Sequence, residues 1–198
     1  MKELFVATTN KGKLKEIAAI LDRTVERLVS PAEFPQLPTV NEDGDTFEAN
    51  AIKKARSAAD ATGLPAIADD SGLVAMGLGG RPGVHSARFA GEDATDEGNI
   101  RKLLAELADN EHLDRSAYFA CVIALCLPGG ECRTFSGRLD GVIIDECRGV
   151  NGFGYDPVFW LPQFSRTLAE LDTERKNMLS HRAQALGKLK EYLATCSE

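Results

Sequence analysis

The chain has 198 residues and is 43% hydrophobic, enough to bury one sizeable core as a single domain, 1–198, or as two lobes around a cleft. Its formal charge of −7, with no long basic block, excludes a nucleic-acid coat and a membrane-surface protein; a phosphorylated small molecule needs only a local cluster of cations and is not excluded. The five cysteines, Cys121, Cys126, Cys132, Cys147 and Cys196, are odd in number and form no C-x-x-C pair, so they are expected as reduced thiols in a cytoplasmic protein without a zinc site. Leu4 to Ala7 is too brief an apolar run for a signal peptide, and Ala117 to Leu127 is too short to span a bilayer as a helix.

In chain order, Glu3 to Thr8 reads as a first strand. Lys13 onward reads as a helix, with Leu14, Ile17, Ala18 and Leu21 recurring at helical spacing. A weaker strand at Arg27 to Val29 precedes a proline loop through Pro31, Pro35 and Pro38, and a helix from about Thr46 to Thr62 stops at Gly63 and Pro65. Phe47, Ala51, Ala55 and Ala58 give that helix a narrow apolar stripe. Ala66-Ile67-Ala68 reads as a strand ending in Asp69-Asp70-Ser71-Gly72 before a glycine turn, and Gly77 to Gly83 as an irregular, exposed segment. A helix over Asp96 to Ala108 turns Ile100, Leu103, Leu104 and Leu107 inward.

Ala117 to Leu127 is apolar at both parities, as in a central strand covered on both faces, and Pro128-Gly129-Gly130 turns it into a strand over Cys132 to Gly137. Gly141 to Ile144 and Val158 to Leu161 are further short strands, Thr167 to Glu170 has the form of a capping box, and from Arg182 a closing helix aligns Leu186, Leu189 and Leu193. The fold class is α/β, with a mixed central β-sheet flanked by helices.

Several segments carry chemistry. Two adjacent carboxylates at the end of a buried strand suit a metal ion, and strand alternation directs Asp69 and Asp70 to opposite faces, so one faces the site while the other pairs or is solvated. A turn in which Asp70 bonds the backbone two residues on fits the same residues. Thr8-Thr9-Asn10-Lys11-Gly12-Lys13 joins a strand to a helix start, where backbone N–H groups and lysines favour phosphate; a plain helix cap has the same composition, and the Walker A spacing is absent. Asn50 and Lys54 share one helix face and suit an anion or open solvent alike. Glu42 and Asp43, before Gly44, supply oxygen ligands for magnesium, which prefers one or two carboxylates with water and substrate phosphates, or form a solvated acidic loop. Phe153-Gly154-Tyr155-Asp156-Pro157 suits stacking on a base as well as a turn with buried aromatics. Ser180-His181-Arg182 and Lys176 supply donors at a helix junction; nothing implies a Ser/His/Asp triad, and Gly77 to Pro82 fails the dinucleotide fingerprint.

Taken in this order the segments closely resemble the inosine triphosphate pyrophosphatase family, in particular its bacterial members that hydrolyse XTP, ITP and dITP. The match runs from Ala7 to Lys13 through Thr46-Phe47, Asn50-Ala51, Lys54-Ala55, Leu64 to Leu73, Gly79-Gly80, Pro82-Gly83, Ser86 to Arg88, Gly91 to Asp96, Gly152 to Pro157 and Ser180 to Arg182. The resemblance implies a homodimer of elongated subunits, each with a long nucleotide-binding cleft between two lobes. It also implies cleavage of a nucleoside triphosphate to monophosphate and pyrophosphate with magnesium. By position it places the triphosphate on Thr8, Thr9, Asn10, Lys11, Gly12 and Lys13, and magnesium and the general base on Asp70, with Glu42 fitting the acidic loop. Ser71 then touches substrate, and Phe153, Gly154, Tyr155, Asp156, Lys176, His181 and Arg182 complete the nucleotide pocket, Arg182 meeting a 6-keto oxygen. Thr9, where relatives often carry glycine, and Ala49, where the family has glutamate, depart from the pattern; Glu48 is adjacent to the second. A nucleotide sensor that never cleaves and a pyrimidine nucleotide pyrophosphatase are the competing readings.

Overall fold

In β1 (Glu3–Val6), Leu4 and Val6 enter one apolar cluster and the intervening Phe5 another, the alternation of a strand covered on both faces. The computed structural model describes residues 2–108 and 114–195. β1 pairs in parallel with β2 (Arg27–Val29) and with β3 (Ala66–Ala75), setting Phe5 opposite Ala66 and Val6 opposite Ile67. With β4 (Ser116–Cys126), β5 (Cys132–Ile143), β6 (Phe159–Leu161) and β7 (Arg166–Thr167) they form a seven-stranded sheet in the order β2-β1-β3-β4-β5-β6-β7. The β5-β6 and β6-β7 pairs are antiparallel, so the sheet is mixed, as the hairpin in the sequence requires. The helices are α1 (Lys11–Leu21), α2 (Phe47–Thr62), α3 (Asp96–Ala108), α4 (Thr173–Leu179) and α5 (His181–Thr195). Among the described residues no helix is long and apolar enough to cross a membrane.

The chain divides into two compact units, the first made of Met1–Asp70, Cys121–Gly137 and His181–Glu198. On one face of its strands Leu4, Val6, Ile67 and Ile123 pack with Ile17 and Leu21 of α1 and with Leu186, Leu189 and Leu193 of α5. On the other, Phe5, Ala66, Ala68 and Ala124 pack with Ala51, Ala55, Ala58 and Ala59 of α2, whose small side chains let the helix backbone come close to the sheet. Each buried leucine contributes about 1.5–3 kcal/mol of transfer free energy. The second unit, Ser71–Ala120 and Arg138–Ser180, has its own core around Leu73, Leu103, Leu107, Phe119, Phe159 and Leu168.

Five expectations are corrected. β3 does not end at a glycine turn after Asp70 but continues to Ala75. Gly72 sits inside the strand because a Cβ there would lie 2.3 Å from Ser86 Oγ and 2.5 Å from the Gly83 carbonyl oxygen, and that Oγ accepts the Leu73 N–H at 2.9 Å. The strands expected at Cys132 to Gly137 and Gly141 to Ile144 are one, Gly141 marking the close approach of Phe159 and Trp160 rather than a break. In α1 Ala18 is exposed and Glu16 is buried instead. Finally, Cys126 and Cys132 are not reduced thiols: the Leu127 to Glu131 turn sets the end of β4 against the start of β5, and the two are joined in a disulfide with Cα atoms 4.1 Å apart. Cys121 and Cys147 are free, and Cys196 lies outside the described residues. The glycine-rich segment is less irregular than expected, with a short 3-10 turn at Met76–Leu78 and Leu78 and Pro82 buried.

Candidate active site

Alternation along β3 sorts its two aspartates. Asp69 has the parity of Ile67 and meets α1 and α5; Asp70 has the parity of Ala68 and meets α2. Asp69, 2% exposed, pairs through Oδ1 with the Lys13 ammonium and through Oδ2 with Arg182 Nε at 2.7 Å, and it accepts the Cys121 thiol at 3.1 Å. Arg182 reaches on to the buried Glu16. Burial raises the pKa of Asp69, but the charges of Arg182 and Lys13 outweigh it and hold this carboxyl well below the usual carboxylate range. Asp69 therefore stays ionised as an anchor: it fixes Lys13 in the first turn of α1 and Arg182 in the first turn of α5.

On the opposite face, Lys54 Nζ donates to Asp70 Oδ1 at 2.8 Å, to the Asp69 carbonyl at 2.9 Å and to Glu42 Oε2 at 3.1 Å. The carboxyl groups of Asp70 and Glu42 are also hydrogen-bonded to each other. Burial pushes Asp70 up to about 6 against the pull of Lys54, and the bond to Glu42 adds to the rise. Glu42, opposed by its own burial, is held below its ordinary value by the Lys54 charge and by the hydrogen bonds from Asp70 and Lys54. A buried carboxyl poised near neutrality beside a second carboxylate and an ammonium is equipped to take a proton.

The turn after β1 presents a helix start. Asn10 caps α1 by accepting the Lys13 N–H at 3.0 Å, and its own N–H bonds Thr8 Oγ1 at 3.2 Å. Thr9 and Lys11 are exposed and Gly12 lies within the helix, so the turn leaves polar groups and a helix amino terminus at the end of a parallel strand.

In the second unit a separate cluster surrounds the aromatic loop. Phe153 is half-buried; its N–H donates to Asp156 Oδ2 at 3.0 Å, and Lys176 Nζ lies 4.6 Å from its ring centroid. Lys176 pairs with the same Asp156 oxygen at 2.6 Å, both side chains being buried. Gly154 N–H donates to Asp96 Oδ2 at 2.7 Å, and Tyr155 is buried with its hydroxyl donating to the Ser86 carbonyl at 2.8 Å. The loop is thus tied at each residue while one ring remains accessible, which suits a flat ligand.

The Ham1 family model matches residues 4–192. The chain belongs to the Ham1 family. Among curated relatives, the dITP/XTP pyrophosphatase of Geobacter sulfurreducens is 58% identical over 98% of this chain and 97% of its own length. That of Bacillus subtilis is 48% identical over 98% of each. Of solved structures, a HAM1 protein from Coxiella burnetii superposes with a TM-score of 0.91 at 45% identity, covering 98% of this chain and 100% of its own. The Staphylococcus aureus Ham1 protein gives 0.88 at 42% identity, with 98% and 99% covered. The seven-stranded mixed sheet with flanking helices is thus the Ham1 fold.

Within that family framework, Lys13, Lys54, Glu42, Asp70, His181 and Arg182 belong to the first unit and Ser71, Phe153 to Asp156 and Lys176 to the second. Arg182, expected to meet a base, has a side chain that is 1% exposed and engaged with two carboxylates, Asp69 and Glu16. Glu48, adjacent to the unusual Ala49, accepts the Thr134 hydroxyl at 2.6 Å. Glu16, a charged residue beside Ile17 in an amphipathic helix, carries no sequence signal of burial, because its partner lies 166 positions away. The same holds for Cys121, whose partner Asp69 is 52 positions away.

Proposed function

We propose that this protein hydrolyses non-canonical purine nucleoside triphosphates, XTP, ITP and dITP, to the monophosphate and pyrophosphate, removing them before they enter DNA and RNA. The observation that carries the reading is the Asp70, Glu42 and Lys54 cluster: a carboxyl raised to about 6, buried beside a second carboxylate, in a chain 58% identical to a dITP/XTP pyrophosphatase. Asp70, ionised, takes a proton from water; the water oxygen forms a bond to phosphorus as the bond to the departing pyrophosphate oxygen breaks. Lys13 and the Thr8 to Lys11 turn hold phosphate oxygens at the start of α1, and Lys54 neutralises charge beside Asp70. Asp69 keeps Lys13 in place.

Among the described residues no group of three or more His, Cys, Asp and Glu side chains gathers at one point, so a self-sufficient protein cage for a metal is not in view. The donor set instead fits magnesium, which takes one or two carboxylates and completes its shell with water and substrate phosphates. Asp70 and Glu42 would hold it, and when bound it would neutralise phosphate charge and orient the leaving pyrophosphate. Phe153 stacks on the purine, its ring fixed by Lys176 and its backbone by Asp156. A homodimer is what the resemblance of the sequence motifs implies, and the substrates support a cytoplasmic location, where nucleotide pools are used. Sedimentation of the purified protein tests the first. The activity is tested by incubating the protein and magnesium with ITP, XTP, dITP, ATP and dCTP and measuring pyrophosphate: release from the three non-canonical purines is expected to be far faster than from the other two. Equal rates throughout, or release from dCTP alone, would refute the assignment.

A further inference from the structure

The segment carrying Glu42 has no regular secondary structure between Phe34 and Thr46, yet it is held at one point by a buried side chain. Asn50, in the first turn of α2, is 1% exposed. Its Oδ1 accepts the Gly44 N–H at 2.8 Å while its Nδ2 donates to the Gly44 carbonyl at 3.2 Å, so the side-chain amide pairs with residue 44 as one peptide group pairs with another. The same Nδ2 lies 3.4 Å from Asp70 Oδ2. A Cβ on residue 44 would come 2.7 Å from Asn50 Oδ1, so glycine permits the approach. Two residues before this clamp is Glu42, and one helical turn beyond Asn50 is Lys54, which binds Glu42.

We propose that Asn50 is a positioning residue: by clamping Gly44 it holds the Glu42 carboxylate beside Asp70 and thereby sets the protein's affinity for a divalent cation. The inference rests on the reading of Glu42 and Asp70 as that cation's carboxylates. Without the clamp, the ion pairs of Glu42 with Lys54 and of Asp43 with Lys53 at 2.6 Å hold only side-chain ends while the backbone at residue 44 gains freedom, and cation binding weakens by the conformational entropy of ordering it. Only a primary amide of this length offers a donor and an acceptor to one residue's backbone and a donor to Asp70; aspartate would lose the donor and face a like charge, and serine could not reach both partners.

The test uses full-length protein without nucleotide, titrated with Mn2+ alone and read by electron paramagnetic resonance, in wild type, Asn50→Ala, Glu42→Gln and the double variant. Each single substitution is expected to weaken Mn2+ binding by about 10–100-fold, and the double variant to be no weaker than Glu42→Gln. Hydrogen exchange at the Gly44 amide should accelerate in Asn50→Ala and stay slow in Glu42→Gln. If Glu42→Gln leaves Mn2+ binding unchanged, the carboxylate reading fails and this inference with it. If Glu42→Gln weakens binding but Asn50→Ala does not, or weakens it equally in the Glu42→Gln background, the positioning role alone is overturned. Should Asn50→Ala not fold, Gly44→Ala attacks the same clamp from the loop side and is expected to reproduce the loss; normal Mn2+ affinity in a folded Gly44→Ala protein would overturn the proposal.

Discussion

Burial lifts Asp70 to about 6 in the fold, against an ordinary value of 3.8, so ionising it at neutral pH works against folding. The folded value lies above the unfolded one, which means that the stabilisation from this group is fully present below about pH 4 and is lost as pH rises through about 6. Asp70→Asn removes that titration. It is expected to abolish hydrolysis, a general base alone being worth about 10²–10⁴-fold, while its stability relative to wild type improves between pH 4 and 8 by up to a few kcal/mol. Metal-free thermal melts across that range check the sign, and a variant that loses ground as pH rises would contradict it. Asp69 behaves oppositely: its folded value is depressed, so its contribution is present above about pH 4 and is lost as pH falls through the folded value. Arg182→Ala takes from buried Asp69 one of the two cations that hold it ionised and from buried Glu16 its guanidinium partner, and should destabilise the protein by about 3–5 kcal/mol in urea unfolding. With its guanidinium bonded to Asp69 and Glu16, the same variant is expected to slow ITP and ATP by one common factor; a loss confined to ITP would place the guanidinium on the base.

α5 offers a matched pair of glycines. Gly137 of β5 faces its start, and a Cβ there would lie 2.0 Å from the His181 carbonyl oxygen and 2.9 Å from Ala185 N, whereas Gly187 within α5 has nothing within 4 Å. Gly137→Ala is therefore expected to destabilise by about 1–3 kcal/mol or more through overpacking, and Gly187→Ala to stabilise by about 0.4–1 kcal/mol by restricting the unfolded chain. Chemical denaturation of both variants reads the two signs. The helices were legible because their signals are local: the apolar stripe of α3 and the Leu186, Leu189, Leu193 face of α5 follow from spacing alone. The opposite facing of Asp69 and Asp70 was legible too, since parity in a strand needs no tertiary information. What escaped depends on distant partners. Gly72 and Gly141 looked like breaks because the groups that crowd them, Ser86 and Phe159, lie elsewhere in the sequence. The carboxylate partners of Arg182, Asp69 and Glu16, are brought to it only by folding, and the Cys126–Cys132 bridge depends on hairpin register rather than on a cysteine motif.

For the whole molecule, the formal charge of −7 makes an unneutralised triphosphate an unfavourable guest. ITP with magnesium, at about 100 times its dissociation constant, should raise stability by roughly 2.7 kcal/mol, and ITP with chelator should give little; equal melting shifts in the two conditions would count against a cation shared by protein and substrate. A further consequence follows from the alternation of Asp69 and Asp70 along β3. Since parity decides which aspartate anchors the two helix starts and which meets Lys54, deleting one residue upstream in that strand would carry Asp70 into the surroundings of Asp69, and Asp69 into those of Ala68, without altering either side chain. The proton acceptor would then meet Arg182 and Lys13 and become a strong acid. A one-residue deletion in β3 is therefore expected to abolish hydrolysis with both aspartates still in the chain.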